Sequence, residues 1–297
     1  VLISGYDTRA LLTYQVRTLR SLGFGTRIVL SNSSHQRPEL ATSYRVSLSL
    51  YEGWPRRRRE VDALGTIAPG QKLAFECDPF LEDHGTDALL IFHLVPEALA
   101  GRRECDITRD ELMWRLTVQD HFVEYYKPSG YACGVLYQSG AFNYPKFAKD
   151  GSTIIQAPKC YVSTAVDSYV SVVNACPVAP YQKRATMSCA LSAPDRSFET
   201  RWVETLEPFE TRLIDVKAAA RRAGARVGES SALDFLCFYG LSADTTLLPL
   251  IVHHQRESGR LALEHSLPPA YYGTAVNGPV RARTLASLVK APIFGSL

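Results

Sequence analysis

Apolar and polar residues alternate with period two along much of this chain. Such alternation predicts strands with one face buried and one face wet. Tyr44-Arg45-Val46-Ser47-Leu48-Ser49-Leu50 and Ala185-Thr186-Met187-Ser188-Cys189-Ala190-Leu191 both read this way. Ahead of each lies a more apolar strand closed by an asparagine, Arg27 to Asn32 and Tyr169 to Asn174, and both asparagines enter a proline-containing loop. After each comes a turn, Glu52-Gly53-Trp54-Pro55 or Ser192-Ala193-Pro194-Asp195, built from residues that preset turn dihedrals.

The order continues in parallel. Ile67-Ala68-Pro69 leads into Lys72-Leu73-Ala74-Phe75, and Leu206-Glu207-Pro208 leads into Thr211-Arg212-Leu213-Ile214. Proline cannot donate to a ladder, so it marks the place where one strand stops and the chain crosses to the next. Apolar strands follow at Leu89–Val95 and Phe235–Leu241. Segments recurring in one order identify an internal duplication. The predicted fold is therefore all-β: two tandem β-sandwich domains, residues 1–150 and 151–297, with a few short helices. Helical patterns are expected at Thr8–Leu22, where Leu12, Val16 and Leu19 form a stripe before Gly23, and at Thr108–Arg115, Lys217–Ala223 and Arg281–Val289.

Short strands with frequent turn residues resemble tandem immunoglobulin-like and fibronectin-III-like sandwiches at the level of fold. The Cys…Trp…Cys set of antibody domains is not evident. What the resemblance implies is a non-enzymatic binding or scaffold protein that contributes exposed edges and loops to a larger assembly, with a protein partner or a homo-oligomer expected.

Composition changes this picture little. Of 297 residues, 46% are hydrophobic and 21% charged, as in ordinary globular chains. The net charge of +3 is too small to imply a nucleic-acid or membrane partner. The seven cysteines hold no C-x-x-C pair and read as buried free thiols in a reducing cytoplasm. No apolar run is long enough to span a bilayer, and the opening residues lack the features of a signal peptide.

Specific catalytic motifs such as H-E-x-x-H, a Walker A loop or G-x-S-x-G are absent. The richest chemistry is a predicted hairpin in the second copy. His253 and His254 precede the Ser258-Gly259 turn, and the return strand brings Glu264 and His265. Alternation puts one residue of each pair on each face, so a His-His or His-Glu pair can share a face. Imidazole with carboxylate can ligate a divalent metal or work as an acid–base pair, which gives the second expectation, an enzyme centred on these four residues. Structural cross-strand pairing is the plain alternative.

Three further features are candidates for binding. Glu124 and Glu264 each precede a proline by a few residues and read as equivalent carboxylates of the two copies; accepting backbone N–H groups from the following turn is their bland role. Arg57 and Arg58, in the run Trp54 to Glu60, are expected on a hairpin loop, where they could clamp an acidic partner or sit solvated with loose ion pairs. Tyr271 and Tyr272 follow Pro268-Pro269 and are expected to be exposed, which gives a third expectation, carbohydrate binding on an aromatic platform.

Overall fold

The computed structural model describes residues 13–32, 41–53, 57–82, 85–97, 119–128, 130, 132–135, 153–175, 181–243, 245 and 247–264. The chain divides into two compact units, Val1–Pro145 with Cys176–Tyr181 and Lys146–Ala175 with Gln182–Leu297. Each is a sandwich of two antiparallel four-stranded sheets, as the alternating pattern predicts.

In the first unit the strands are β1 (Thr13–Arg17), β2 (Gly25–Asn32), β3 (Tyr44–Glu52), β4 (Arg57–Ile67), β5 (Lys72–Glu76), β6 (Leu89–Pro96), β7 (Gln119–Tyr126) and β8 (Ala132–Val135). One sheet has the order β1-β6-β3-β4 and the other β5-β2-β7-β8. The second unit contains β9 (Thr153–Val162), β10 (Val166–Asn174), β11 (Ala185–Ser192), β12 (Glu199–Leu206), β13 (Glu210–Asp215), α1 (Val216–Arg222), β14 (Asp234–Ser242), β15 (Leu248–Gln255) and β16 (Arg260–Glu264). Its sheets run β9-β14-β11-β12 and β13-β10-β15-β16. Adding eight to each strand number of the first unit gives the second, so among the described residues the duplication extends to every strand and every pairing. Among the described strands the order differs from the immunoglobulin arrangement, in which the first two strands are neighbours; here β1 lies beside β6.

Period two decides what is buried. In the first unit Tyr14, Val16, Val46, Leu48, Leu90 and Phe92 point inward from one sheet, and Ile28, Leu30, Val123 and Tyr125 from the other, all fully withdrawn from water. In the second, Val170, Val172, Met187, Cys189, Phe238 and Ile251 belong to one apolar cluster. Each such side chain contributes about 1.5–3 kcal/mol relative to exposure.

Both asparagines identified in the sequence are 0% exposed and act alike. The Asn32 amide donates to the carbonyls of Thr42 (2.8 Å) and Ile67 (2.9 Å), and its own carbonyl accepts from Gly70 N at 2.7 Å. The Asn174 amide donates to Lys183, Leu206 and Glu207 at 2.9–3.1 Å, and its carbonyl accepts from Phe209 N at 2.7 Å. One side chain thus fastens the end of a strand to the loop after it and to the proline turn of the neighbouring strand pair.

Three expectations are corrected. Thr13–Arg17 is a strand and Arg20–Leu22 a single 3-10 turn where a helix over Thr8–Leu22 was expected; Thr13 to Arg17 alternates polar and apolar over only five residues, and the stripe of Leu12, Val16 and Leu19 competes with it. Arg57 to Glu60 lie on β4, opposite Glu52 to Ser49, and not on a loop. Glu124 stands on β7 and Glu264 on β16, whose counterpart is β8, so the two are not equivalent. The helix expected at Lys217–Ala223 forms as α1, where Asp215 caps it by accepting from Ala218 N at 2.8 Å. The segments Thr108–Arg115 and Arg281–Val289 lie outside the described residues.

Candidate functional site

The hairpin of β15 and β16 forms as the sequence predicts, with Gln255 opposite Arg260 and Gly259 in the left-handed region at φ 64°. His253 pairs with Ala262 on β16 and lies opposite Ser168 on β10. Its Nδ1 is 2.7 Å from Ser168 Oγ, and Ser168 Oγ donates to the Tyr161 carbonyl at 2.7 Å. A hydroxyl has one hydrogen to give. Ser168 therefore accepts from Nδ1–H, and the neutral imidazole carries its lone pair on Nε2.

That Nε2 is buried without a hydrogen-bond partner and lies 3.7 Å from Glu264 Oε1. The ring is 8% exposed and the glutamate 50%. Burial pushes the His253 pKa below 6.5, while the nearby Glu264 charge pulls it up. The Tyr161 ring meets His253 edge-on at 5.2 Å and Phe235 at 5.1 Å.

The structure thus brings His253 and Glu264 together on one face. His254, opposite Leu261, points to the other face, and His265 lies outside the described residues, as do Tyr271 and Tyr272. Among the described residues, no three His, Cys, Asp or Glu side chains are grouped to hold a metal ion.

Glu124 accepts from Arg27 Nε at 2.7 Å across the strand pair, and Arg27 also lies 3.6 Å from Glu76, which accepts from the Tyr126 hydroxyl at 2.7 Å. It belongs to a cross-strand network on the wet face of the sheet. Arg57 and Arg58 are exposed on β4. Arg58 Nε is 2.6 Å from Glu60, and Arg57 is 3.9 Å from Glu82. Charges on an edge strand deter pairing with another chain.

Two features escaped the sequence. A charge cluster joins buried Asp167 and Lys217 to exposed Arg256: the Lys217 ammonium donates to the Ser163 carbonyl at 2.5 Å and lies 3.3 Å from Asp167, whose other oxygen accepts from Arg256. Its members come from three elements far apart in the chain, so no local pattern announces it. The second is a groove of about 680 Å³ in the second unit. Pro194 and Phe198 of the β11–β12 turn, Ala225 and Val227 after α1, and Leu233 and Phe235 at the start of β14 line it. Leu233 is 49% and Phe235 47% exposed, so two large apolar side chains meet water at its rim. Asp195, Asp234 and Arg226 also line it. Hydrogen bonds from Ser197 hold the Asp195 carboxyl below its ordinary pKa, and Asp234 accepts from Gly228 N at 2.8 Å. Phe235 alone carried a sequence cue, an aromatic at an alternating position of an apolar strand.

No known protein family matches the chain, and no curated protein matches it. Among solved structures, a calcium binding mutant of Bacteroides uniformis beta-glucuronidase 2 aligns at 14% identity and a TM-score of 0.19, over 85% of this chain and 26% of that one. A glycosyl hydrolase family 2 member from Bacteroides cellulosilyticus aligns at 8% identity and a TM-score of 0.20, over 86% of this chain and 28% of that one. Momordica charantia 7S globulin aligns at 8% identity and a TM-score of 0.16, over 82% and 71%. The chain spans about a quarter of the length of the first two. Likeness this slight has no bearing on its activity.

Proposed function

We propose that this chain is a non-enzymatic binding module that associates with a second copy of itself through the groove of the second sandwich. The observation that carries this reading is the pair Leu233 and Phe235, half exposed at the rim of a cavity of about 680 Å³. Exposed apolar side chains around a concavity with polar neighbours are the ordinary composition of a contact surface. The groove also holds both signs of charge, Asp195 and Asp234 with Arg226. A two-fold contact sets one patch against itself, so a patch that carries its own counter-charges is suited to it. The five described cysteines are free thiols, three of them buried, which supports a reducing compartment.

Sedimentation velocity over roughly two decades of protein concentration tests this by mass action. A dimer that dissociates on dilution is expected, with Phe235→Asp abolishing it and Arg226→Asp weakening it. A chain that stays monomeric throughout overturns the reading.

A second reading, an acid–base site, is favoured by one contact, the bare His253 Nε2 facing Glu264 at 3.7 Å. Such a pair can pass a proton to or from a bound group. Here a chemical-shift titration of the imidazole should depend on Glu264; an identical titration in Glu264→Gln rules the pair out.

A further inference from the structure

The charge cluster and the groove of the second sandwich meet at one residue, Gly228. It sits in the loop from α1 to β14, and Ala225, Arg226 and Val227 of that loop form a wall of the groove. Gly228 is buried and lies in the left-handed region at φ 63°. Arg221 Nε donates to the Val227 carbonyl at 3.2 Å and Arg221 Nη2 to the Gly228 carbonyl at 3.1 Å, while Gly228 N donates to Asp234 at 2.8 Å. Two residues on, the Ser230 carbonyl accepts from Thr164 N at 2.8 Å. A wall made of loop backbone is thus tied to α1, to β14 and to the turn between β9 and β10.

Underneath lies Lys217. A Cβ on Gly228 would stand 2.6 Å from Lys217 Cε and 3.1 Å from its Nζ, so the loop backbone rests directly on the lysine stem, where glycine alone leaves room. The ammonium is held in place, since it donates to the Ser163 carbonyl at 2.5 Å and lies 3.3 Å from Asp167. Lys217 is 4% and Asp167 2% exposed. Arg256 donates to the other oxygen of Asp167 and holds that carboxylate in turn.

The first sandwich shows what the fold needs at this place. Its β5 and β6 are joined by residues 77–88, which contain no lysine and form the single 3-10 turn Asp78–Phe80 where the second sandwich has α1. The connection in the second, residues 216–233, is longer. A lysine-supported loop is therefore no requirement of the sandwich.

We infer that Lys217 and Arg221 are positioning residues of the groove: they hold the loop after α1 in the conformation that a docking partner meets. Neither side chain lines the groove itself, so both act through Ala225, Arg226 and Val227. The inference rests on the reading of the groove as the contact between two copies. A wall ordered in advance spares the association the cost of ordering it.

Two measurements on the full chain test this. Amide hydrogen exchange of the dilute monomer, read by mass spectrometry, follows local opening of residues 225–230, and sedimentation velocity follows the dimer. Arg221 is exposed, so Arg221→Gln should keep the wild-type melting temperature. Exchange across the loop should rise about tenfold, and the dimer should need about tenfold more protein, the loss of one or two hydrogen bonds. Arg221→Lys, which keeps a donor, should recover part of both. Lys217→Met keeps the stem without the ammonium and should show the same two effects; if it fails to fold, with Asp167 left buried and less compensated, Arg221→Gln decides alone. Unchanged exchange in Arg221→Gln overturns the inference, and so does faster exchange with an unaltered dimer. A wild-type chain that stays monomeric overturns the groove reading instead, and the positioning of the wall then stands or falls on exchange.

Discussion

At the scale of single residues, the second sandwich depends on side chains that complete other residues' backbone bonds. Asn174 donates to three carbonyls from a fully buried position. Asn174→Ala removes those bonds and leaves the carbonyls without replacement donors, so the second unit should lose about 3 kcal/mol, read as a lower denaturant midpoint. His253 makes stability depend on pH. Its folded pKa is lowered, so the unfolded chain binds the proton more readily; the stability it confers is complete above about pH 6.5 and is lost as pH falls below it. Urea midpoints measured from about pH 7.5 to about 5.5 should decline in the wild type and flatten in His253→Gln.

Elements follow from pattern wherever the two faces of a strand differ in polarity. The strands β2, β3 and β6 and their partners β10, β11 and β14 were legible because apolar residues repeat at period two or run unbroken between turn residues. β1 was not: its alternation, Thr13-Tyr14-Gln15-Val16-Arg17, lasts only five residues, and the spacing of Leu12, Val16 and Leu19 across it imitates a helix. Arg57 to Glu60 concealed β4 for the opposite reason, since an edge strand with both faces wet reads like a loop. The His253–Glu264 contact was legible, because a short turn fixes which residues of a hairpin share a face. The groove was not, because its walls come from a turn, a helix end and a strand separated in sequence. Turns at equivalent places also differ. Gly70 has φ 79° and open space where a Cβ would go, so Gly70→Ala meets only the backbone cost of the left-handed region. About 1 kcal/mol of stability should be lost, visible in the thermal unfolding of the first unit.

At the scale of the molecule, the two sandwiches share every described strand pairing and differ in what their surfaces carry. The cores hold thiols as ordinary apolar fillers: Cys77, Cys160 and Cys189 are fully buried, and burial pushes the Cys160 thiol up to about 12. Thiolate is the reactive form. Mass spectrometry after brief alkylation of the native chain should find Cys133 and Cys237 modified, both partly exposed, before these three. Early labelling of Cys189 would mean that the second core opens far more readily than its packing implies.

The proline turns fastened by the two asparagines place different residues at the same corner. Gly70 enters the left-handed region at no steric cost, so its turn can close from local preference alone. Phe209 occupies the same region at φ 60°, and its N–H meets the Asn174 carbonyl at 2.7 Å. A phenylalanine adopts that conformation only against its own preference. Its turn is therefore held by contact with the strand end. The first sandwich closes this corner with a residue that takes the turn freely, the second with one that the contact to the strand end must hold.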